Sequence, residues 1–320
     1  MNVLVTCGGS GIIVDVLTQL RRITDVGSIV LVDADEIDFD HGCAVARVPP
    51  GSAAGYAEAL RAIVDRYNVG FVLVASDEES LALSQCEWAR RISHLDTFEN
   101  TSLVLDKYRL HATLRTRGEA DLVPDCRLCR SRDELAAMLE QHGSVVARPI
   151  QGRGSKGLAH IVSDHLRREF PLGRSLTEYP IPADGDAAFY AAYLPGDKYS
   201  ADCLFDRGTL LACMMRNNGP SVKYRPPTVQ AATAIDPDVH AFAVRIGGAL
   251  GLSGFHQIEC GRAADGAVKL IEINPRLDAT LPITQCYAEN FYEILLHPRA
   301  VGLMQPRTRL FRRFFTSYSK

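Results

Sequence analysis

Over the first hundred residues, short apolar runs alternate with longer amphipathic stretches. Residues 3–6 read as a buried strand, Gly8-Gly9-Ser10-Gly11 as a tight turn, and residues 12–20 as an apolar helix. A second strand covers 28–32 and ends at Asp33, a helix 56–67, a third strand 71–75, and another helix 80–91. This βαβ rhythm predicts a parallel, doubly wound sheet and an α/β fold class. From residue 105 the pattern changes. Helices are expected at 107–117 and 132–142, with strands at 126–128 and 144–148. Strands then follow at 188–194, 199–205 and 209–216, a loop rich in Pro and Asn at 217–230, and a helix at 239–250. The chain contains no internal repeat and no low-complexity tract.

The most informative pattern lies near the end. Phe255-His256-Gln257-Ile258-Glu259-Cys260 and Val268-Lys269-Leu270-Ile271-Glu272-Ile273-Asn274 alternate as strands, with Asp265-Gly266 between them as a two-residue turn. Centring the hairpin there sets Glu259 opposite Glu272 and Gln257 opposite Asn274. Directly opposed side chains have Cβ atoms about 5 Å apart, and like charges so placed repel. Two facing carboxylates beside amide oxygens suit a hard cation. Mg²⁺ fits best, because it takes few carboxylate oxygens and completes its shell with phosphate and water. The plainer alternative is a solvated polar face on an edge hairpin. Pro275-Arg276, which closes the strand with an arginine beside the acids, points instead to a polyphosphate.

Composition narrows the classes. With 35 basic and 38 acidic residues the chain has no electrostatic footprint for nucleic acid. No apolar run approaches the roughly 20 residues of a membrane helix. The N-terminus reads directly as a strand and not as a secretory leader. Nine cysteines scattered through apolar runs suggest reduced thiols and a cytoplasmic location. Cys126-Arg127-Leu128-Cys129 is a lone CxxC, without the second pair that zinc would want.

Two further elements suggest phosphate chemistry. Residues 144–148 feed Gln151-Gly152-Arg153-Gly154-Ser155-Lys156-Gly157, and a strand follows. The glycines let backbone N–H groups approach phosphate oxygens, and Arg148, Arg153 and Lys156 add positive charge. The pattern lacks G-K-[ST] and so is no P-loop. A strand–loop–strand of this kind makes a lid, or equally a plain surface turn. Lys107 opens a helix, where an exposed solubilising lysine is the plain alternative.

Taken in order, Asp106-Lys107, Ala147-Arg148-Pro149 with its glycine loop, Tyr193-Leu194-Pro195-Gly196-Asp197-Lys198-Tyr199-Ser200, and Ile271-Glu272-Ile273-Asn274-Pro275-Arg276 resemble the ATP-grasp superfamily, in its carbamoyl-phosphate-synthetase-like branch. The resemblance implies an ATP-grasp fold with an N-terminal Rossmann-like pre-ATP-grasp domain over 1–103. A lid subdomain would cover 104–187, a catalytic subdomain 188–305, and a basic, aromatic tail 306–320. It implies that Lys107 and Arg148 hold ATP phosphates, with Gly152, Gly154, Ser155 and Gly157 in the lid and Tyr193 and Leu194 beside the adenine. Glu259, Glu272 and Asn274 would bind one or two Mg²⁺, with Mn²⁺ able to substitute. Arg276, with Arg148, would contact the transferred phosphoryl group. Arg216, Lys223 and Arg225 are candidate contacts to a carboxylate substrate, an expectation that a solvated loop would also meet.

The implied activity is ATP-dependent ligation of a small carboxylate, such as an amino acid, to an amine through an acyl phosphate, releasing ADP and phosphate. The implied partners are ATP, the carboxylate and the amine, and the resemblance allows a homodimer. There are two departures. Ala192 stands where many relatives carry a ribose-binding glutamate, and Lys198 where the pattern has an acid, for which Asp197 next door offers a substitute. They motivate one rival reading, a non-catalytic nucleotide-binding homologue. A second rival, an NAD(P)-dependent oxidoreductase, rests on Gly8–Gly11 and Asp33 but lacks the G-x-G-x-x-G spacing.

Overall fold

In the computed structural model of the chain, residues 1–39, 41–150, 157–166, 173–179, 188–220 and 230–312 are described. The chain opens with β1 (Asn2–Val5), α1 (Ile13–Leu20), β2 (Ile29–Asp33), β3 (Ala44–Arg47), α2 (Tyr56–Arg66) and β4 (Val69–Leu73). These strands form a parallel sheet in the order β3-β2-β1-β4. They are apolar almost throughout because both faces are covered. Val3, Val5, Leu31 and Leu73 face one side, with Ile13, Val16 and Leu20 of α1. Leu4, Val30, Val32 and Val72 face the other, with Tyr56, Leu60 and Val64 of α2.

The helix expected at 80–91 is two helices, α3 (Asp77–Ser84) and α4 (Glu87–Arg91). The carboxylate of Glu79 in α3 accepts from the buried Thr6 hydroxyl at the end of β1, which draws the helix start toward the sheet. Two more helices follow, α5 (Phe98–Leu105) and α6 (Lys107–Thr116), the latter capped by Asp106. Then come β5 (Cys126–Cys129), α7 (Arg132–His142), β6 (Ser144–Arg148), β7 (Ala159–Val162) and β8 (Ala188–Ala192). These four strands make an antiparallel sheet in the order β5-β8-β6-β7.

The third sheet has seven strands. It is built from β9 (Asp197–Asp206), β10 (Thr209–Pro220), β11 (Gln230–Thr233), then after α8 (Pro237–Leu250) from β12 (Gly254–Arg262) and β13 (Val268–Asn274), and after α9 (Phe291–Leu296) from β14 (Gly302–Leu303) and β15 (Phe311–Arg312). The order is β13-β12-β9-β10-β11-β15, with β14 beside β10. β3, α5, β11 and α9 went unanticipated in the sequence, and β10 runs on through Asn217 and Asn218, which had read as loop.

The faces of this sheet differ sharply. Tyr199, Ala201, Cys203 and Phe205 of β9, with Ile258, Cys260 and Ile273, pack on Val239, Phe242 and Ile246 of α8. Side chains alternate along a strand, so Lys198, Ser200 and Asp202 lie on the opposite face. There they line up with Gly261, Glu259 and Gln257 of β12, and Glu259 and Gln257 in turn with Glu272 and Asn274 of β13. Farther along that same face, Leu204, Met214 and Phe255 join the core of the parallel sheet.

Alternating charges tie the two sheets together. Arg216, 2% exposed, pairs through Nη1 with Asp202 and through Nη2 with Asp278 at 3.4 Å. Arg276 shares Asp278 at 3.4 Å and reaches Asp77 of α3 at 2.9 Å. Two hydrogen bonds to main-chain carbonyls reinforce the joint: the Leu277 N–H donates to Val74 O at 2.9 Å, and the Ser80 hydroxyl to Pro275 O at 3.1 Å. Burial alone would raise the Asp278 carboxyl, but Arg216 and Arg276 outweigh it and hold it well below the usual range. Arg216 stays charged for the same reason: burial opposes its charge, and Asp202 and Asp278 more than restore it.

Two expectations follow from this packing. Gly254 has φ +71°, and a Cβ there would lie 2.2 Å from His94 O, which accepts the Phe255 N–H. Gly254→Ala should therefore cost about 2–4 kcal/mol, read as a lowered melting temperature. Asp202→Ala strands a buried guanidinium between fewer anions and should cost about 3–5 kcal/mol in denaturant titration. A loss below about 1 kcal/mol would contradict the closed ion network.

Candidate functional site

The hairpin of β12 and β13 pairs Gln257 with Asn274 and Glu259 with Glu272, the register expected from the sequence. The turn differs in detail. Ala263 N–H donates to Ala267 O, and Gly266 takes φ +85°, so the loop is one residue longer than a two-residue turn. The register slips once between Glu259 and Cys260, with Ile271 as the extra residue of a β-bulge. The slip offsets the longer loop and restores the carboxylates to facing positions. It also gives the Ile271 carbonyl a second use: Arg148 Nη1 donates to it at 3.1 Å.

Glu272 Oε2 lies 3.6 Å from Lys107 Nζ and 3.6 Å from Arg148 Nη1. Lys107 is only 9% exposed, which removes the solubilising alternative. Its position is fixed by the Asp106 cap and by its own N–H donating to Ile150 O at 3.2 Å, just beyond β6. Glu259 is hemmed in by protein and by Glu272. Burial first, then repulsion from Glu272 and Asp278, push its carboxyl up to about 7, against the pull of Arg148 and Arg216. Lys198 is partly buried. Burial and Arg148 push its ammonium down to about 8, while Glu259 and Glu272 pull the other way.

Asn274 Nδ2 donates to Gln257 Oε1 at 3.2 Å, and Gln257 Nε2 to Asp202 Oδ1 at 3.0 Å. Among the described residues, no three His, Cys, Asp or Glu side chains gather as a ready-made metal cluster. The hairpin offers two carboxylates and an amide oxygen, all hard donors, and Glu259 bears a charge that its surroundings penalise. That donor set fits a hard divalent cation that completes its shell from elsewhere, as on phosphate oxygens.

The remaining expected residues divide. Tyr193 stacks on His160 with ring centroids 4.3 Å apart, and Leu194 is 7% exposed beside Gly261. His160 had no signal in the sequence beyond its place in an alternating strand; burial, then Lys198, push it down to about 4. Gly157 is described, with φ +75°. Gly152, Gly154 and Ser155 of the expected lid lie outside the described residues, as do Lys223 and Arg225.

Arg216 sits in a strand and not in a cationic loop, and its guanidinium is committed to Asp202 and Asp278, which corrects its expected place beside substrate. Arg276 is likewise held by Asp77 and Asp278. The sequence reading missed all three of these acids; only Asp278, two residues past Arg276, carried a local hint. Asp197 does not replace the missing acid at Lys198. Consecutive strand residues point to opposite faces, and Asp197 accepts from Asn217 Nδ2 at 2.8 Å on the other side. Ala192 N–H donates to Asp125 O at 2.8 Å, closing the end of β8. Asp33 is engaged by the glycine turn itself, accepting the Gly9 N–H at 2.9 Å. Cys126 and Cys129 are free thiols, both pushed up by burial, Cys129 to about 11. Among the described residues, no helix is long and apolar enough to cross a membrane.

Comparison with known proteins bears on this arrangement. A family model described as ATP-grasp in the biosynthetic pathway with Ter operon matches residues 187–310. No curated protein matches the chain. Among solved structures, the L-amino acid ligase from Bacillus licheniformis is similar over 94% of this chain and 74% of its own, with TM-score 0.65 and 14% identity. N5-carboxyaminoimidazole synthetase from Staphylococcus aureus complexed with ADP is similar over 96% and 80%, with TM-score 0.63 and 11% identity. The biotin carboxylase domain of Hydrogenobacter thermophilus 2-oxoglutarate carboxylase, in complex with MgADP, ADP and bicarbonate, is similar over 96% and 72%, with TM-score 0.63 and 15% identity. At these identities the likeness speaks to the fold, and with the family match over its C-terminal part the chain is an α/β protein with an ATP-grasp fold.

Proposed function

We propose that the chain is an ADP-forming ligase of the carbamoyl-phosphate-synthetase-like branch. A small carboxylate, such as an amino acid, would take the γ-phosphoryl group of ATP to give an acyl phosphate and ADP, and an amine would then displace phosphate. The observation that carries this reading is the facing pair Glu259 and Glu272, with Lys107 and Arg148 both 3.6 Å from Glu272. Phosphoryl transfer of this kind asks for positioning and charge neutralisation more than for a protein nucleophile.

Each residue has a definite part. Glu259, Glu272 and Asn274 would hold one or two Mg²⁺, which when bound neutralises phosphate oxygens. Lys107 and Arg148 would orient the phosphates, and the Ile271 carbonyl holds Arg148 in place for that task. Arg276 would meet the charge that develops on the transferred group, oriented by Asp77 and Asp278. Tyr193 and Leu194, at the end of β8, would flank the adenine. Residues 152–157 would close over the phosphates and exclude water from the acyl phosphate. Lys223 and Arg225 are the proposed contacts to the carboxylate substrate. The relatives supply the chemistry by name: one is an L-amino acid ligase, and others are held with ADP or MgADP.

The second reading, nucleotide binding without turnover, draws on the two departures, Ala192 at the place of the ribose-binding glutamate and Lys198 at the place of an acid. ADP release measured over amino acids and small carboxylates, each with and without a second amine, separates the two. A ligase should release ADP well above its basal rate with the right acid, and hydroxylamine should trap an acyl hydroxamate. Glu272→Gln should lower turnover roughly 10²-fold or more at unchanged melting temperature. Arg276→Ala should suppress both readouts while changing nucleotide affinity less, since it acts on the transition state. Tight nucleotide binding with no stimulation by any acid would favour the second reading. Wild-type ADP release by Glu272→Gln would sink the site assignment.

A further inference from the structure

The face that carries the carboxylate hairpin also carries a cation that the nucleotide-site reading leaves unused. Lys198 stands opposite Gly261 on β12 and opposite Gly219 on β10. Two residues on, Ser200 pairs with Glu259, so Lys198 and Glu259 share one face in adjacent rows. The charges of Glu259 and Glu272 favour the ammonium, and that of Arg148 opposes it. Glu272 is already approached by Lys107 and Arg148. Lys107 and Arg148 thus approach one carboxylate, Lys198 lies one row along the same face, and Asp197, the nearest acid along the strand, is turned to the other face.

An ammonium is a compact charge with three donors, able to serve a carboxylate and a phosphate oxygen at once. A second divalent ion brought beside it would meet a like charge in a partly buried site, where screening is weaker than in bulk water. The substitution has a matching charge. Where the family pattern has an acid, a lysine changes the fixed charge by two units, the charge of one divalent ion. We propose that Lys198 stands in the place of a second metal ion, so that this nucleotide site takes a single divalent cation. The proposal rests on the reading of the hairpin as a nucleotide-metal site.

Counting ions tests it without turnover. The full chain is saturated with β,γ-methylene-ATP and titrated with Mn²⁺, free Mn²⁺ being read by electron paramagnetic resonance. One tightly bound Mn²⁺ per bound nucleotide is expected, rising to two in Lys198→Glu. Lys198→Gln, which removes the charge without adding a ligand, should admit a second ion more weakly, and it serves where Lys198→Glu fails to fold by circular dichroism. Two tight ions in the wild-type chain would overturn the proposal. So would a folded Lys198→Glu that still binds one. A failure of the underlying reading looks different: nucleotide would then recruit no Mn²⁺ to the wild-type chain, and Glu272→Gln would behave identically.

Discussion

Two carboxylates placed directly across a strand pair are a cost that a fold does not carry without a counter-charge. Glu259 and Glu272 are so placed, and the surroundings are arranged around that repulsion. Lys107 comes from the start of a helix, Arg148 from the end of a strand in another sheet, and Lys198 from the neighbouring strand. Even so, burial first and then Glu272 push Glu259 up to about 7, a penalty that the nearby bases do not fully offset. A divalent cation and a polyphosphate would supply what is lacking: positive charge for the acids and negative charge for the bases.

The same sheet face explains why the N-terminal sheet matters to a site it does not itself form. From Asp202 through Arg216, Asp278 and Arg276 to Asp77, opposite charges alternate across the joint. A buried chain of this kind is a poor source of net stability, because desolvation consumes much of the Coulomb gain. Its effect is orientation. Arg276 cannot swing without breaking its contacts to Asp77 of α3 and to Asp278, and the segment after the hairpin is pinned to Val74, just past β4, and to the Ser80 hydroxyl of α3. The placement of Arg276 thus depends on Asp77, 199 residues earlier in the chain.

What could be read in the sequence was what is local. The hairpin register was legible because alternation and a glycine turn are short-range, and it held because the bulge at Ile271 cancelled the extra turn residue. The parallel sheet was legible because strands buried on both faces read as continuous apolar runs. The ion partners were not, because Arg276 and Asp77 lie 199 residues apart and Arg216 and Asp278 lie 62 apart. Arg216 looked like a substrate contact because Pro and Asn nearby suggested a loop, whereas the strand continues and buries it. The short elements β3, α5, β11 and α9 carry too few residues for a period to emerge. Asp197 could have been set aside from the sequence alone, since neighbours on a strand face opposite ways.

If the facing acids hold a cation for a nucleotide, cation and nucleotide bind in a linked way, and that linkage is measurable. Calorimetric titration of β,γ-methylene-ATP into the chain with Mg²⁺, and again with the metal chelated, should show at least about tenfold tighter binding in Mg²⁺. Glu259→Gln should lose most of that difference while remaining folded. Equal affinity with and without Mg²⁺ in the wild-type chain would contradict the account.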